Sequence, residues 1–132
     1  SKKEILQMGW DDINQKLGVE NIINNFDFRD AYIQSLHYIT GMNYVNDKEE
    51  SRAVMYIEGS NGKNLQLFFG DILICHLPSM KHKNEKMNGV TLEYKNGNYY
   101  FSNVSGFKGN EKDYSKYNNI YIKCKYMQYK FL

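Results

Sequence analysis

The sequence predicts an α+β fold, with a largely antiparallel, twisted β-sheet of about six to seven strands and an N-terminal helix packed on one face or edge. Apolar and polar residues alternate with period two from residue 32 to the C-terminus, and turn-forming residues separate the alternating segments. No helical pattern lies between successive strands, so antiparallel pairing is favoured. A length of 132 residues suits one core, and we expect a single domain over residues 1–132.

The helix is predicted over residues 2–17, with Gly18 as its C-terminal stop. Trp10, the only tryptophan, widens the apolar stripe of this helix and is expected to cover one edge of the sheet. Residues 21–27 are expected to form a connection. The apolar stripe itself consists of Ile5, Met8, Ile13 and Leu17.

Two strands are predicted next, over residues 32–38 and 52–58. The charge-rich residues 46–51 between them are expected to form a hairpin loop, and residues 59–62, Gly-Ser-Asn-Gly, give a strong turn signal. These two strands are therefore expected to lie near the run that follows.

Residues 64–77 form the densest apolar run, and it contains no lysine or arginine. Because this run is apolar on both faces, it is expected in the middle of the sheet, with an interruption at Gly70-Asp71. Pro78 is expected to end it, since proline cannot donate to a β-ladder.

The clearest hairpin joins residues 90–94 to residues 98–104 through the turn Asn96-Gly97. Residues 79–88 and 106–118 are expected to be polar loops. Residues 119–132 are predicted to form the last strand. Its alternation places Ile120, Ile122, Cys124 and Tyr126 on one face and Tyr121, Lys123 and Lys125 on the other.

Composition limits the possible functions. No apolar run approaches the roughly 20 residues that cross a bilayer, and no long apolar segment opens the chain, so we expect a cytoplasmic protein without a membrane partner. The net charge of +2 is uneven, since residues 1–66 hold seven basic and ten acidic residues while residues 67–132 hold ten and five. Only two of the 17 basic residues are arginine, which argues against nucleic-acid binding.

Catalytic motifs are missing from the sequence. It contains no phosphate-cradling glycine loop, nucleophile elbow or HExxH pattern. Cys75 and Cys124 are expected to be buried free thiols, although a disulfide is possible if their strands are neighbours. Cys75, His76 and His82 lie close together in the sequence, but metal binding is not expected, because Cys75 and His76 would point to opposite faces of a strand. We therefore predict a protein that is not an enzyme and has neither cofactor nor metal.

The segment Phe28-Arg29-Asp30-Ala31 stands immediately before the first predicted strand. We interpret it as structural, with Asp30 accepting backbone N–H groups to fix the turn into the sheet after Phe28. Together with Leu65-x-Leu-Phe-Phe-Gly-Asp-Ile and Ile122-Lys123-Cys124, this segment resembles one of the small β-rich immunity proteins of bacterial polymorphic toxin systems. The resemblance covers the chain from residue 26 onward.

The resemblance implies a non-catalytic protein that neutralises a cognate toxin by direct binding. On physical grounds, aromatic anchors and steering charges would form the binding surface. The candidates are the outward residues of the last strand and its neighbouring hairpin, Tyr99, Tyr121, Lys123 and Lys125. For a basic nuclease toxin, the alternative is the acidic loop of Asp47, Glu49 and Glu50.

A second hypothesis is a small-ligand binding module with an apolar pocket against the sheet. Met42, Met55, Phe68 and the tyrosines could line such a pocket. A continuous cavity lined by these residues would favour a ligand, whereas an interior filled by side chains would favour protein binding.

Overall fold

The structure, a computed structural model, describes residues 9–78, 86–87, 89–107 and 119–132. Within these residues the chain forms one helix, α1, and nine strands, β1 to β9. In chain order the elements are β1 (Asp11–Asp12), α1 (Gln15–Asn25), β2 (Tyr32–Ile39), β3 (Met42–Asn43), β4 (Lys48–Glu49), β5 (Arg52–Glu58), β6 (Asn64–His76), β7 (Thr91–Lys95), β8 (Asn98–Ser102) and β9 (Tyr121–Phe131).

The described strands form a seven-stranded sheet in the order β2-β5-β6-β9-β8-β7, with β1 added beside β9. Every pair is antiparallel, as predicted. The central apolar run is β6, which pairs with β5 through Asn64–Phe69 and with β9 along most of its length. Both faces are covered in the first half of β6, where Leu65, Leu67, Phe68 and Phe69 are at most 2% exposed, whereas Leu73 in its second half is 47% exposed.

The two edges of the sheet approach each other. Lys86, in the segment that leads toward β7, forms a β-bridge with Tyr32 at the start of β2. The N–H of Met87 donates to the carbonyl of Ala31 at 2.6 Å. The segment before β7 thus closes on the β2 edge of the sheet, a curl that the twist of adjacent strands favours.

The main core fills the inside of this curl. Its fully buried side chains come from β5, β6, β8 and β9, and α1 adds Val19 and Ile22. The Phe69 and Phe101 rings meet edge to face, with centroids 5.4 Å apart. Burial of this apolar area is the main stabilising term of the fold.

The predicted helix boundaries are wrong in the described part. Residues 11–12 extend as β1, α1 begins at Gln15, and the predicted connection from residue 21 is helical to Asn25. The N–H of Ile13 donates to the carbonyl of Met127 at 2.9 Å, so pairing with β9 overrides the local helical spacing. Residues 1–8 lie outside the described part.

Gly18 does not end the helix but lies within its first turns. A Cβ atom at this position would lie 2.8 Å from the backbone carbon of Ile13, so glycine lets α1 approach the preceding chain. Leu17, which the helical stripe placed inward, is 79% exposed. The apolar face of α1 is therefore set by Val19 and Ile22.

A smaller aromatic cluster lies outside the main core. Trp10 packs edge to face on Phe68, with ring centroids 6.0 Å apart, and Phe68 contacts Tyr126 at 5.9 Å. Trp10 thus covers the central strand β6, whereas it was expected at an edge. Tyr126, expected to share a face with Cys124, belongs to this second cluster instead.

The remaining strand predictions are largely confirmed. β5 has the predicted bounds, and β7 and β8 join through Asn96-Gly97, whose φ angles of +54° and +78° suit a tight hairpin turn. At Gly70-Asp71 the strand continues, but its register shifts between Ile72 and Ile74. The predicted loops over 79–88 and 106–118 lie mostly outside the described residues. No helix in the described ranges is long and apolar enough to cross a bilayer.

Candidate protein-binding hairpin

Residues 41–50, called the 41–50 hairpin, form a small two-stranded sheet beside the main one. Met42 pairs with Glu49 and Asn43 with Lys48. Asp47 adopts a left-handed φ of +52° at the turn, a conformation that aspartate tolerates better than most residues. The sequence prediction of a hairpin loop over residues 46–51 found this region but placed it a few residues late.

Two asparagines shape the hairpin. The Oδ1 atom of Asn43 accepts from the N–H of Val45 at 3.1 Å, and Oδ1 of Asn46 accepts from the N–H of Lys48 at 3.2 Å. Such side-chain hydrogen bonds stabilise the turn between the two short strands. The amide nitrogens of both asparagines remain available, and they point to one acceptor, Glu50.

Glu50 is the centre of the hairpin, and its side chain is 0% exposed. Its Oε1 atom accepts from Nδ2 of Asn43 at 2.9 Å, from Nδ2 of Asn46 at 3.1 Å and from the hydroxyl of Tyr126. Its Oε2 atom has no hydrogen-bond partner among the residues that the structure describes, and Nζ of Lys48 lies 3.9 Å away. A buried carboxylate with three donors fixes the hairpin to β9.

Arg52 holds the base of the hairpin. Its guanidinium donates to the carbonyls of Gly41, Met42 and Glu50 at 3.3, 3.2 and 3.1 Å. The N–H of Glu50 also donates to the carbonyl of Gly41 at 3.1 Å, which closes the hairpin. The planar fork of arginine suits this contact with several carbonyls.

Lys48 ties the far side of the hairpin to β6. Its Nζ atom lies 2.8 Å from Oδ2 of Asp71, and this hydrogen bond raises the pKa of Lys48. Next to it, the N–H of Ile72 donates to the carbonyl of Ser51 at 2.8 Å. The hairpin is thus attached to both central strands, β6 and β9.

Apolar and acidic side chains project from this fixed backbone. Tyr44 is 85% exposed, Met42 42% and Val45 39%. Asp47 and Glu49 are exposed and form no ion pair with any residue in the described ranges. An aromatic ring surrounded by apolar and charged groups has the composition of a protein-binding surface.

A shallow groove of about 460 Å³ is lined by residues of β2 and of the second half of β6. Tyr38, Leu73 and Leu77, three of its lining residues, are each close to half exposed. Its full lining is Tyr38, Ile72, Leu73, Cys75, His76 and Leu77. Exposed apolar side chains are therefore present on this part of β2 and β6 as well as on the hairpin.

The three acidic residues predicted to form one binding loop have two different positions in the structure. Asp47 and Glu49 lie at the surface as expected, but Glu50 is buried and cannot meet a partner. The composition of the sequence could not distinguish the buried acid from the two exposed ones, because all three belong to one charged stretch. The feature that distinguishes Glu50 is the nearby pair Asn43 and Asn46, whose side-chain amides both donate to it.

The prediction that Tyr99 and Tyr121 point outward is wrong, since they are only 5% and 2% exposed. The Tyr99 hydroxyl donates to the carbonyl of Ile13 and accepts from the N–H of Gln15 at 2.8 Å, so it anchors the start of α1. Tyr121 packs on Phe107, with ring centroids 5.1 Å apart. Among the other candidates, Lys123 is half-buried and Lys125 exposed. Tyr100, which the sequence reasoning missed, is the partly exposed tyrosine beside Lys123.

The segment before β2 is structural. Phe28 is buried and its ring contacts Phe26 at 4.8 Å. The turn acceptor is Asp27, whose Oδ1 atom accepts from the N–H of Arg29 at 3.0 Å, whereas Asp30 was predicted for this role. Asp30 instead takes a left-handed φ of +58°. The side-chain hydrogen bond from Arg29 lowers the pKa of Asp27.

Cys75 and Cys124 are free thiols, as predicted, but only Cys124 is fully buried, and Cys75 is half-buried. Burial raises the pKa of both. In the described ranges no three histidine, cysteine or acidic residues converge on a metal position, and His82 lies outside them. Among the residues expected to line an apolar ligand pocket, one tyrosine, Tyr38, lines the groove between β2 and β6. Met42, Met55 and Phe68 line neither this groove nor a second one of about 450 Å³ near Phe28.

The Tyr126 phenol predicts a loss of stability at alkaline pH. Burial raises its pKa above the ordinary 10.0, and the hydrogen bond to Glu50 raises it further. Because the fold favours the neutral phenol, its contribution is complete below about pH 10 and is lost as pH rises above that value. We expect urea midpoints to fall above about pH 10, and to fall less steeply in Tyr126→Phe. Equal slopes for the two proteins would contradict this role of Tyr126.

No protein-family model, no curated protein and no solved structure matches this chain. The fold and the geometry of the hairpin therefore carry the functional argument.

Proposed function

We propose that this protein is a non-catalytic binding protein that neutralises a bacterial toxin through direct contact by the 41–50 hairpin. The observation that carries the proposal is Tyr44, which is 85% exposed on a hairpin fixed from inside by Glu50. The resemblance to small β-rich immunity proteins indicates the class of partner.

Rigidity supports a binding role for the hairpin. Ordering a loop on association costs free energy, and a loop already held in one conformation avoids much of that cost. The buried Glu50 and the Arg52 guanidinium together hold the hairpin backbone at both ends. Tyr44 then offers a large contact area with few rotatable bonds.

The polar groups of the hairpin are engaged in holding it together. Oε1 of Glu50 accepts three hydrogen bonds, and Lys48 is paired with Asp71. General acid–base chemistry needs such groups directed at a substrate position. Their inward arrangement supports binding over catalysis.

The exposed acids indicate the charge of the partner. Lys48, the cation of the hairpin, is paired with Asp71, so Asp47 and Glu49 set the outward charge. Acidic groups at a rim accelerate encounter with a basic surface. A basic nuclease toxin fits this surface.

Isolation of the tagged protein from its host strain tests the proposal. We expect a stable one-to-one complex with a large secreted protein whose isolated toxic domain arrests growth, and we expect co-expression of this chain to restore growth. A partner without toxicity, or toxicity that this chain does not relieve, would overturn the immunity role. A bound small molecule in place of a protein would favour the ligand-binding hypothesis.

Replacement of Tyr44 separates binding from folding. We expect Tyr44→Ala to weaken the complex by about 30-fold, equivalent to about 2 kcal/mol, because central aromatic anchors dominate interface energies. The free energy of unfolding should change by less than about 0.5 kcal/mol, since the side chain is exposed. Titration calorimetry and urea denaturation measure the two quantities.

Leu17→Ala provides the matched control for this variant. Leu17 is also a large, exposed apolar side chain, at 79%, but it lies on α1. We expect its replacement to leave both affinity and stability unchanged. Equal weakening by Leu17→Ala and Tyr44→Ala would place the interface elsewhere.

A further inference from the structure

A second charged surface lies on the outer face of the sheet, across four adjacent strands. Glu93, Tyr100, Lys123 and Ile74 are successive cross-strand partners on β7, β8, β9 and β6. Directly paired residues of antiparallel strands share a face. The neighbours of this row along β8 and β9, which include Phe101, enter the core, so the row itself faces outward.

Two lysines converge on the aromatic member of this row. Nζ of Lys95 lies 5.0 Å from the Tyr100 ring centroid, and Nζ of Lys123 lies 5.7 Å from it. Each ammonium is attracted by the ring, but the two repel each other. Lys125, two residues further along β9, is exposed and adds a third positive charge.

These charges are only partly balanced. Glu93 lies 3.7 Å from Lys95, and it is half exposed. Lys123 and Lys125 have no ion-pair partner in the part of the chain that the structure describes. Three cations facing one carboxylate leave this face positive, and an added anion would relieve the repulsion across Tyr100.

We infer that this face binds an acidic segment of a protein partner, whose carboxylates lie over Tyr100 between Lys95 and Lys123. The lysines supply the complementary charge, and the Tyr100 hydroxyl can donate a hydrogen bond to a carboxylate oxygen. Ile74 continues the row as an apolar contact beside Lys123.

A nucleic acid fits this face less well. Bidentate phosphate contacts favour arginine, and the described cations here are all lysines. Glu93 stands in the same row and would repel a continuous line of phosphates. The inference goes beyond the proposed function, because this face is separate from the 41–50 hairpin and has the opposite charge.

The full-length protein, labelled with ¹⁵N, can be titrated with a synthetic hexaglutamate peptide at low salt. We expect chemical-shift changes confined to residues 93–100, 122–126 and 72–75. A hexaglutamine peptide should give none. Thymidine hexanucleotide serves as the phosphate probe, and tighter binding of this probe at the same residues would overturn the assignment to a protein partner. Hexaglutamate shifts that are absent or spread over the whole surface would overturn the site.

Matched variants separate local recognition from net charge. We expect Lys95→Ala/Lys123→Ala to weaken hexaglutamate binding about tenfold, as expected for two lost charge contacts. Lys16→Ala/Lys63→Ala removes the same charge from exposed positions outside this face and should change affinity less than twofold. Equal weakening by both pairs would refute a specific site. Tyr44→Ala should bind hexaglutamate normally, so this test is independent of the hairpin.

Discussion

Glu50→Ala is expected to destabilise the protein by about 3 kcal/mol, lowering the melting temperature by roughly 10 °C. The substitution removes the acceptor of Asn43, Asn46 and the Tyr126 hydroxyl, and so leaves buried donors without a partner. Urea denaturation followed by circular dichroism measures the change. We expect toxin binding to weaken as well, because the hairpin loses its fixed conformation.

Two further variants define the cause of this loss. Glu49→Ala removes the neighbouring exposed carboxylate and should change the free energy of unfolding by less than about 0.5 kcal/mol. Glu50→Gln removes the charge and replaces one oxygen with an amide nitrogen, but it keeps one oxygen for the three donors and should cost less than Glu50→Ala. If Glu49→Ala and Glu50→Ala were equally mild, the hairpin would not depend on a buried carboxylate.

Gly70→Ala is expected to cost about 3 kcal/mol, although alanine suits a strand at least as well as glycine. A Cβ atom at this position would overlap the ring of Tyr126. The ring would have to move, which would break its hydroxyl contact with Glu50 and its packing on Phe68. Thermal and urea denaturation measure the loss.

A double-mutant cycle tests this cause. With Tyr126→Ala as the background, the ring is gone, and Gly70→Ala should then cost less than about 1 kcal/mol. The two substitutions should therefore couple by about 2 kcal/mol. Additive effects would show that Gly70 is required for another reason, such as the register shift beyond Asp71.

The strand pattern of this protein could be predicted from local signals. Strict alternation gave β5 its bounds, and the turn pair Asn96-Gly97 located the hairpin of β7 and β8. Period-two patterning is reliable where one face of a strand is buried, because a shift by one residue would expose the core.

Local signals failed where a distant segment competes for the same residues. Residues 11–13 follow a helical stripe, yet they pair with β9, more than 100 residues away in the chain. Tyr99 and Tyr100 are adjacent on β8, and the position of α1 determines that Tyr99 is covered while Tyr100 stays partly exposed. The burial of each face of a strand depends on which element packs over it, and the local sequence does not contain that information.

The sequence by itself determined the antiparallel sheet and the central place of β6, because patterning and turn chemistry act over a few residues. Only the tertiary structure decided that Glu50 turns inward while Asp47 and Glu49 stay exposed. The physical reason is that the groups that donate hydrogen bonds to Glu50 come from both the hairpin and β9. These two segments are about 80 residues apart along the chain, and they meet only when the protein folds.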